Sequence, residues 1–413
     1  MKILLVQHEH FINGAGGTEK ICSFLANTLS LAGHQVTIAT HQNISGKPVY
    51  PIEDKVTVTN IFNPDIGQVH LFPLYNYKGK NPFRWVLRKI EKKKNKLRNQ
   101  RLIQSKGGPD GLYRYNLSCR SKYWKSRIDE MNPDAIITMS IGSLLEITYQ
   151  NTYDVPIVNS VNGRPDYDYT DVLWPRKQIE TALLKESFKK LDVIQVLFES
   201  YTAFLPETFH GTTVVIPNPV PAISPESQVN RQKKERCRII NIGSLVDDCK
   251  KQSIAIDLFS RLSAKYDRWD LHLFGIGADY DTLQQRIDDY NLNDRIFLRG
   301  FTSRPLEELS HADIFIFPSR YEGFPLALTE AMASGLPSLG FIDCSGVNQL
   351  IKDEVTGFLC RDENEMLQRL EELMNSETLR LEMGINARTS MESYSEDKIA
   401  QQWRDLIGSL QLK

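Results

Sequence analysis

Two prolines and a glycine fall within the eight residues Pro318-Ser319-Arg320-Tyr321-Glu322-Gly323-Phe324-Pro325. No helix or strand runs through such a stretch, so residues 314–337 read as strand, loop, helix and stop. The apolar run Ile314-Phe315-Ile316-Phe317 suits the end of a buried strand. Residues 326–334 suit a helix, with Pro325 near its first position and Gly335 just past its end. A helix that begins where a strand ends offers free N–H groups and a positive dipole end to an anion. Glu322 lies in the loop and Glu330 about one turn inside the helix. Two carboxylates so placed can grip different parts of one ligand while the N–H groups between them hold its phosphate.

Short apolar runs alternate with helical spacing along most of the chain. Residues 3–6 suit a central parallel strand, and a polar loop containing Asn13-Gly14-Ala15-Gly16-Gly17-Thr18-Glu19 follows. Ile21, Leu25, Leu29 and Ala32 then recur at helical spacing, Gly33 stops the helix, and residues 35–39 resume as a strand. This βαβ opening fails the G-x-G-x-x-G test of a dinucleotide fold, because Glu19 occupies the third glycine's place. Further strands are expected over 135–138, 155–160, 191–196 and 214–216. After Pro217-Asn218-Pro219-Val220-Pro221, polar sequence continues to about residue 235, as a linker does. The plan then repeats, with strands over 238–242, 271–274, 296–298 and 336–341. Gly243 ends the first of these, and Gly275-Ile276-Gly277 follows the second. A length of 413 residues fits two or three domains. The last segment with helical periodicity is 396–410.

The run Ser-Arg-Tyr-Glu-Gly-Phe-Pro-Leu at 319–326, followed by Glu-Ala-Met-Ala-Ser-Gly-Leu-Pro at 330–337, resembles the E-x7-E element of family 4 glycosyltransferases. That resemblance implies an α/β chain of the GT-B type, with two facing Rossmann-like domains, parallel sheets and a cleft between them. It implies that Glu322 contacts donor-sugar hydroxyls and that Glu330 holds the ribose. The backbone of Gly323, Phe324, Pro325 and Leu326 would meet sugar and diphosphate. Gly-Gly-Thr-Glu at 16–19 resembles the family's glycine-rich loop, so Gly16 and Gly17 would let the backbone approach donor phosphate or acceptor. Gly243 and Gly275 join the donor side by the same likeness. Relatives carry arginine after the glycine at 243 and a lysine six or seven positions beyond that glycine. Here Ser244 takes the arginine's place and Lys250 supplies the lysine, with Lys251 as its alternate; Arg320 or Arg299 would replace the lost cation. Many relatives also place a histidine in the loop at 161–166, where this chain has none; either Asn162, Arg164 or Asp166 serves there, or the loop only binds acceptor.

The implied organisation is an acceptor-side domain over 1–216, a linker over 217–235, a donor-binding domain over 236–395 and a helix over 396–413 that crosses back to the first domain. The implied activity is retaining transfer of a hexosyl or N-acetylhexosaminyl group from a nucleotide sugar, UDP- or GDP-linked, to a glycan or lipid-linked acceptor in surface polysaccharide synthesis. No further cofactor or metal is called for. Ser244 and the absent histidine also admit a catalytically silent GT-B protein that binds glycan or stabilises a partner.

A net charge of −1 argues against a general nucleic-acid binder. Six scattered cysteines without a C-x-x-C pair point to a reducing, cytoplasmic setting. Four apolar residues at the start are too few for a signal segment, and no apolar run approaches 18 residues. Residues 50–125 are the least patterned. Within them, residues 83–106 hold ten Lys or Arg against Glu91, interleaved with Phe83, Val86, Leu87, Ile90, Leu97 and Ile103 at roughly helical spacing. This stretch reads as a solvated insertion, or as an element that meets acceptor or an anionic membrane surface.

Overall fold

The computed structural model describes residues 1–224, 228–229 and 235–410. The expected linker over 217–235 and the end of the expected last helix lie partly outside these residues. The strands are β1 (Lys2–Val6), β2 (Gln35–Thr40), β3 (Thr57–Asn60), β4 (Ala135–Thr138), β5 (Ile157–Ser160), β6 (Val193–Val196) and β7 (Thr212–Val215), then β8 (Cys237–Ile242), β9 (Trp269–Phe274), β10 (Ile296–Gly300), β11 (Ile314–Phe317), β12 (Ser338–Phe341) and β13 (Gly357–Cys360). They form two sheets, in the orders β3-β2-β1-β4-β5-β6-β7 and β10-β9-β8-β11-β12-β13. Pairing is parallel from β3 through β6 and throughout the second sheet.

Burial explains why these short runs are so apolar. Every residue of β4, β5, β6, β9 and β11 is buried, as in a sheet covered on both faces. The polar exceptions on central strands are held by hydrogen bonds. Asn241 Nδ2 donates to the Ile316 carbonyl at 2.8 Å, and Thr138 Oγ1 donates to Asn159 Oδ1 at 2.8 Å. In each sheet the order reverses at one place. From β1 the chain goes to β2 on one side, and β4 lies on the other; β8 is flanked in the same way by β9 and β11. Open parallel sheets bind ligands outside the carboxyl ends of the strands at such reversals.

The chain divides into two compact units. One comprises residues 1–161, 168–195 and 205–213, and the other comprises 162–167, 196–204 and 214–413. The two short pieces that join the second unit come from loops that follow β5 and β6. Helix ends fall where the punctuation predicts. The first helix, Gly17–Leu31, starts at an N-cap Gly16 and stops before Gly33 at φ +89°. The helix Leu326–Ser334 has Pro325 as its N-cap and Gly335 at φ +93° as its C-cap. The stretch of weak pattern also becomes helical: Pro82–Ser105 and Gly108–Met131 are two long helices, joined where Gly107 and Gly108 take φ +82° and +89°. Among the described residues, no helix is long and apolar enough to cross a membrane.

Candidate active site

The reversal of the second sheet brings together most of the residues expected on the donor side. Gly243 and Ser244 follow β8, Gly275 follows β9, and the loop 318–325 follows β11. The loops after β8 and β9 run backbone against backbone. Gly243 N donates to the Phe274 carbonyl at 3.0 Å, and Leu245 N donates to the Ile276 carbonyl at 3.0 Å. Gly275 takes φ +146°, and a Cβ there would collide with the Gly243 carbonyl. The side chain of Gln252 is fully buried and ties this loop down, with Nε2 donating to the Ser244 carbonyl at 2.8 Å.

Lys250 and Glu322 meet at this end of the sheet. Lys250 Nζ donates to Glu322 Oε1 at 2.6 Å, and the Glu322 side chain is largely buried while that of Lys250 is partly open. The two loops are also joined through the backbone, since Arg320 N donates to the Cys249 carbonyl at 2.8 Å. Lys251 instead occupies the left-handed corner between two helices at φ +53°. Of the two cations named as replacements for an arginine at 244, Arg299 is engaged by His272 Nδ1 at 3.3 Å and by the Phe297 ring. Arg320 is exposed beside the Tyr321 ring, two residues from Glu322. Two buried polar atoms at the strand ends, Gln252 Oε1 and Ser319 Oγ, have no hydrogen-bond partner among the described residues. A bound polar ligand or water satisfies orphans of this kind.

The backbone of residues 322–325 is clamped from several sides. A Cβ at Gly323 would strike the Gly163 Cα and the Asn162 carbonyl, and one at Gly346 would strike the Gly323 carbonyl. Tyr201 Oη donates to that same carbonyl at 2.7 Å. Burial pushes the Tyr201 phenol up, which keeps its proton available for the bond. Phe324 stacks on Phe198 with centroids 5.5 Å apart and meets the Tyr394 ring edge-on at 5.5 Å. The helix Leu326–Ser334 therefore begins at a fixed place, and among the described residues no side chain caps its N-terminus. Glu330 is buried in that helix. The loop at 161–166 contributes Asn162 to the clamp. Arg164 pairs with Asp166 at 2.7 and 2.9 Å and donates to Ser345 Oγ at 3.0 Å. Arg164 is one of the three residues weighed for this loop, whereas Tyr201 and Phe198 are residues that the sequence pattern does not pick out. Their partners, Gly323 and Phe324, are distant in sequence, so no local spacing marks them.

The first unit has its own cluster at its own reversal. Gly16 caps the first helix and Gly17 opens it. The Glu19 carboxylate folds back over Gly16, where a Cβ would clash with it, and accepts from Gln7 Nε2 at 2.7 Å. Just past β1, the His8 ring lies against Ser143, with Nδ1 2.9 Å from Ser143 Oγ. Ser143 belongs to the helix Ile141–Thr148, which follows β4. Burial lowers the His8 pKa, and the nearby Glu146 carboxylate opposes that shift. Glu146 is in turn gripped by Arg120 at 2.6–3.0 Å. The position of His8, two residues beyond a central parallel strand, is the signal that marks it in sequence.

Residues 223–390 match the family described as Glycosyl transferases group 1. An uncharacterized glycosyltransferase of Haemophilus influenzae is 24% identical over 402 residues, covering 96% of this chain and 97% of that protein. A poly(ribitol-phosphate) alpha-N-acetylglucosaminyltransferase of Staphylococcus aureus is 24% identical over 365 residues, covering 87% of this chain and 70% of that one. A TarM mutant of Staphylococcus aureus, solved with Fondaparinux, alpha-GlcNAc-glycerol and UDP, superposes with a TM-score of 0.71 at 17% identity, covering 98% and 99% of the two chains. The fold is that of the GT-B glycosyltransferases, and the matches together support a glycosyltransferase.

Proposed function

We propose that this chain is a retaining glycosyltransferase of family 4. It moves a hexosyl or N-acetylhexosaminyl group from a UDP- or GDP-sugar to a hydroxyl of a glycan or lipid-linked acceptor in cell-surface polysaccharide synthesis. The observation that carries this reading is the Lys250–Glu322 pair, held at the head of β8 and β11 beside an uncapped helix N-terminus. The donor diphosphate takes up Lys250 and the first N–H groups of the helix Leu326–Ser334, where the dipole favours negative charge. Glu322, released from the lysine, turns to the sugar hydroxyls and fixes the ring for reaction. Glu330 holds the ribose, while Gly243 and Gly275 keep the backbone low enough for the nucleotide to approach. The bond from the anomeric carbon to the diphosphate oxygen breaks, and the acceptor oxygen bonds to that carbon on the same face. The acceptor's proton passes to the leaving diphosphate. Arg320 stands in for the cation missing at Ser244. The six free cysteines support a cytoplasmic setting.

A panel of nucleotide sugars tests the reading on the purified chain, with binding followed by calorimetry and slow donor hydrolysis by product release. One donor bound and slowly hydrolysed is the expected result. Ser244 favours a second reading, a GT-B protein that binds glycan without transfer; binding of glycan but of no nucleotide sugar would establish that instead.

A further inference from the structure

The helix Pro82–Ser105 is amphipathic the wrong way round for a packed helix. Phe83, Val86, Leu87, Ile90 and Leu97 fall on one stripe, at i, i+3, i+4, i+7 and i+14. In a core-facing helix that stripe is buried. Here Phe83 is 80% exposed, Leu87 65%, Ile90 60% and Leu97 52%. The face that binds the rest of its unit buries two asparagines, Asn95 and Asn99, with Leu102 and Ile103 half-buried beside them. Asn95 Nδ2 donates to the Pro73 carbonyl at 3.1 Å, and Asn99 exchanges two hydrogen bonds with the Phe72 backbone at 2.8 and 2.9 Å. Lys92 Nζ holds Asn76 Oδ1 at 2.5 Å. The segment fastened in this way carries Leu71, Phe72, Leu74 and Tyr75, all of them exposed. Trp85 is half-exposed near the helix start, with Lys89 Nζ 4.7 Å from its ring centre.

Nine cations and one carboxylate, Glu91, share this helix, so its net charge is +8 in a chain whose total is −1. Lys93 borders the apolar stripe, while Lys94 and Arg101 fall within it at i+11 and i+18. We propose that this face is a docking surface for an anionic lipid bilayer, with the helix lying in the interface and Phe83, Leu87 and Ile90 entering it. The charge argues against a second copy of this chain as occupant, because pairing two such helices would bring like charges together. Nucleic acid leaves the aliphatic stripe without a partner. An anionic bilayer matches both features, offering headgroups to the cations and acyl chains to the stripe. A surface of this kind would hold the chain where a lipid-linked acceptor lies, yet the proposal stands without the transfer reading, since sedimentation with vesicles needs no donor.

Co-sedimentation of the full chain with vesicles tests it. Binding is expected to vesicles of equal parts phosphatidylglycerol and phosphatidylcholine, to be absent with phosphatidylcholine alone, and to fall as salt rises. Replacing Lys93, Lys94, Arg98 and Arg101, the cations on or beside the stripe, with glutamate is expected to lower the partition coefficient by at least about a thousandfold. A second readout guards against a misfolded variant: a tryptophan placed on the stripe by Leu87→Trp should be quenched by lipids brominated on the acyl chain. Failure to bind anionic vesicles, undiminished binding by a folded charge-reversed variant, or an absence of quenching in the Leu87→Trp protein overturns the proposal. So does a lipid-free dimer that Leu87→Ser with Ile90→Ser dissociates, because the stripe would then be a self-interface.

Discussion

Glu322 faces a lysine across a short ion pair, while Glu330 is buried in the helix behind it, so the two carboxylates carry different expected costs. Glu330→Ala is expected to weaken nucleoside diphosphate binding by about 1–3 kcal/mol, the loss of a hydrogen bond to a charged group. Glu322→Ala is expected to reduce turnover more than binding, since it leaves Lys250 free for the phosphates and removes the group that sets the sugar. Calorimetry with the nucleotide and turnover with the preferred donor check the pair, with thermal melts as a control for the buried Glu330. Wild-type behaviour of both variants would remove the site assignment. Ser244→Arg is expected to tighten nucleotide binding by up to about tenfold by restoring a charge-assisted hydrogen bond. Weaker binding in that titration would mean that Arg320 already fills the space, and unchanged binding that residue 244 faces elsewhere. The expectations for Glu322, Glu330 and Lys250 rest on the resemblance of their two stretches to a known family, and the structure brings Lys250 and Glu322 together. Tyr201 and Phe198 were not legible, because only the folded backbone carries them to residues 323 and 324; Arg164 was named as an alternative for its loop, but its bond to Ser345 was not.

The strand–loop–helix units show which elements sequence discloses. Where glycine and proline punctuate an apolar run, as at Gly33 and Gly335, the ends were readable to a residue or two. The helix Pro82–Ser105 was hard to read for a physical reason: the two residues it buries are asparagines and its apolar stripe faces water, which inverts the usual signal. At the second sheet's reversal, the loops after β8 and β9 depend on a glycine as firmly as on any side chain. Gly275→Ala is expected to cost about 3 kcal/mol or more, because its φ of +146° is strained for any L side chain and its Cβ meets the Gly243 carbonyl. Nucleotide binding should fall with it as the two loops separate. Gly300→Ala is the control: at φ +70°, with open space around the new Cβ, it should cost only about 1 kcal/mol. Urea midpoints of the two variants measure the difference, and equal costs would mean that the loops yield without strain.

Across the whole molecule, each unit hides a histidine near the carboxyl end or middle of a central strand, and both are held neutral. Burial lowers the His8 pKa in the first unit. In the second, burial takes His272 on β9 down to about 3, with the Arg238 and Arg299 guanidiniums adding to the effect and Asp270 opposing it. Arg299 Nε donates to His272 Nδ1, so the ring's own proton sits on Nε2, and a second proton would have to displace that bond. A histidine in the unfolded chain titrates near 6.5. Because the folded value lies below the unfolded one, protons bind the unfolded state more readily. The contribution to stability is therefore complete above pH 6.5 and is lost as pH falls from 6.5 towards 3. For His272 alone the loss between pH 7 and pH 5 is roughly 2 kcal/mol. His272→Gln keeps an acceptor for Arg299 but does not titrate, so its stability should fall less steeply over that interval, whatever the substitution costs at pH 7. Urea unfolding of both proteins at pH 7, 6 and 5 gives the comparison, with His8 and the carboxylates common to both. Parallel stability–pH curves would show that His272 accepts its proton in the folded chain without cost, and the neutral-ring account of this strand would have to be abandoned.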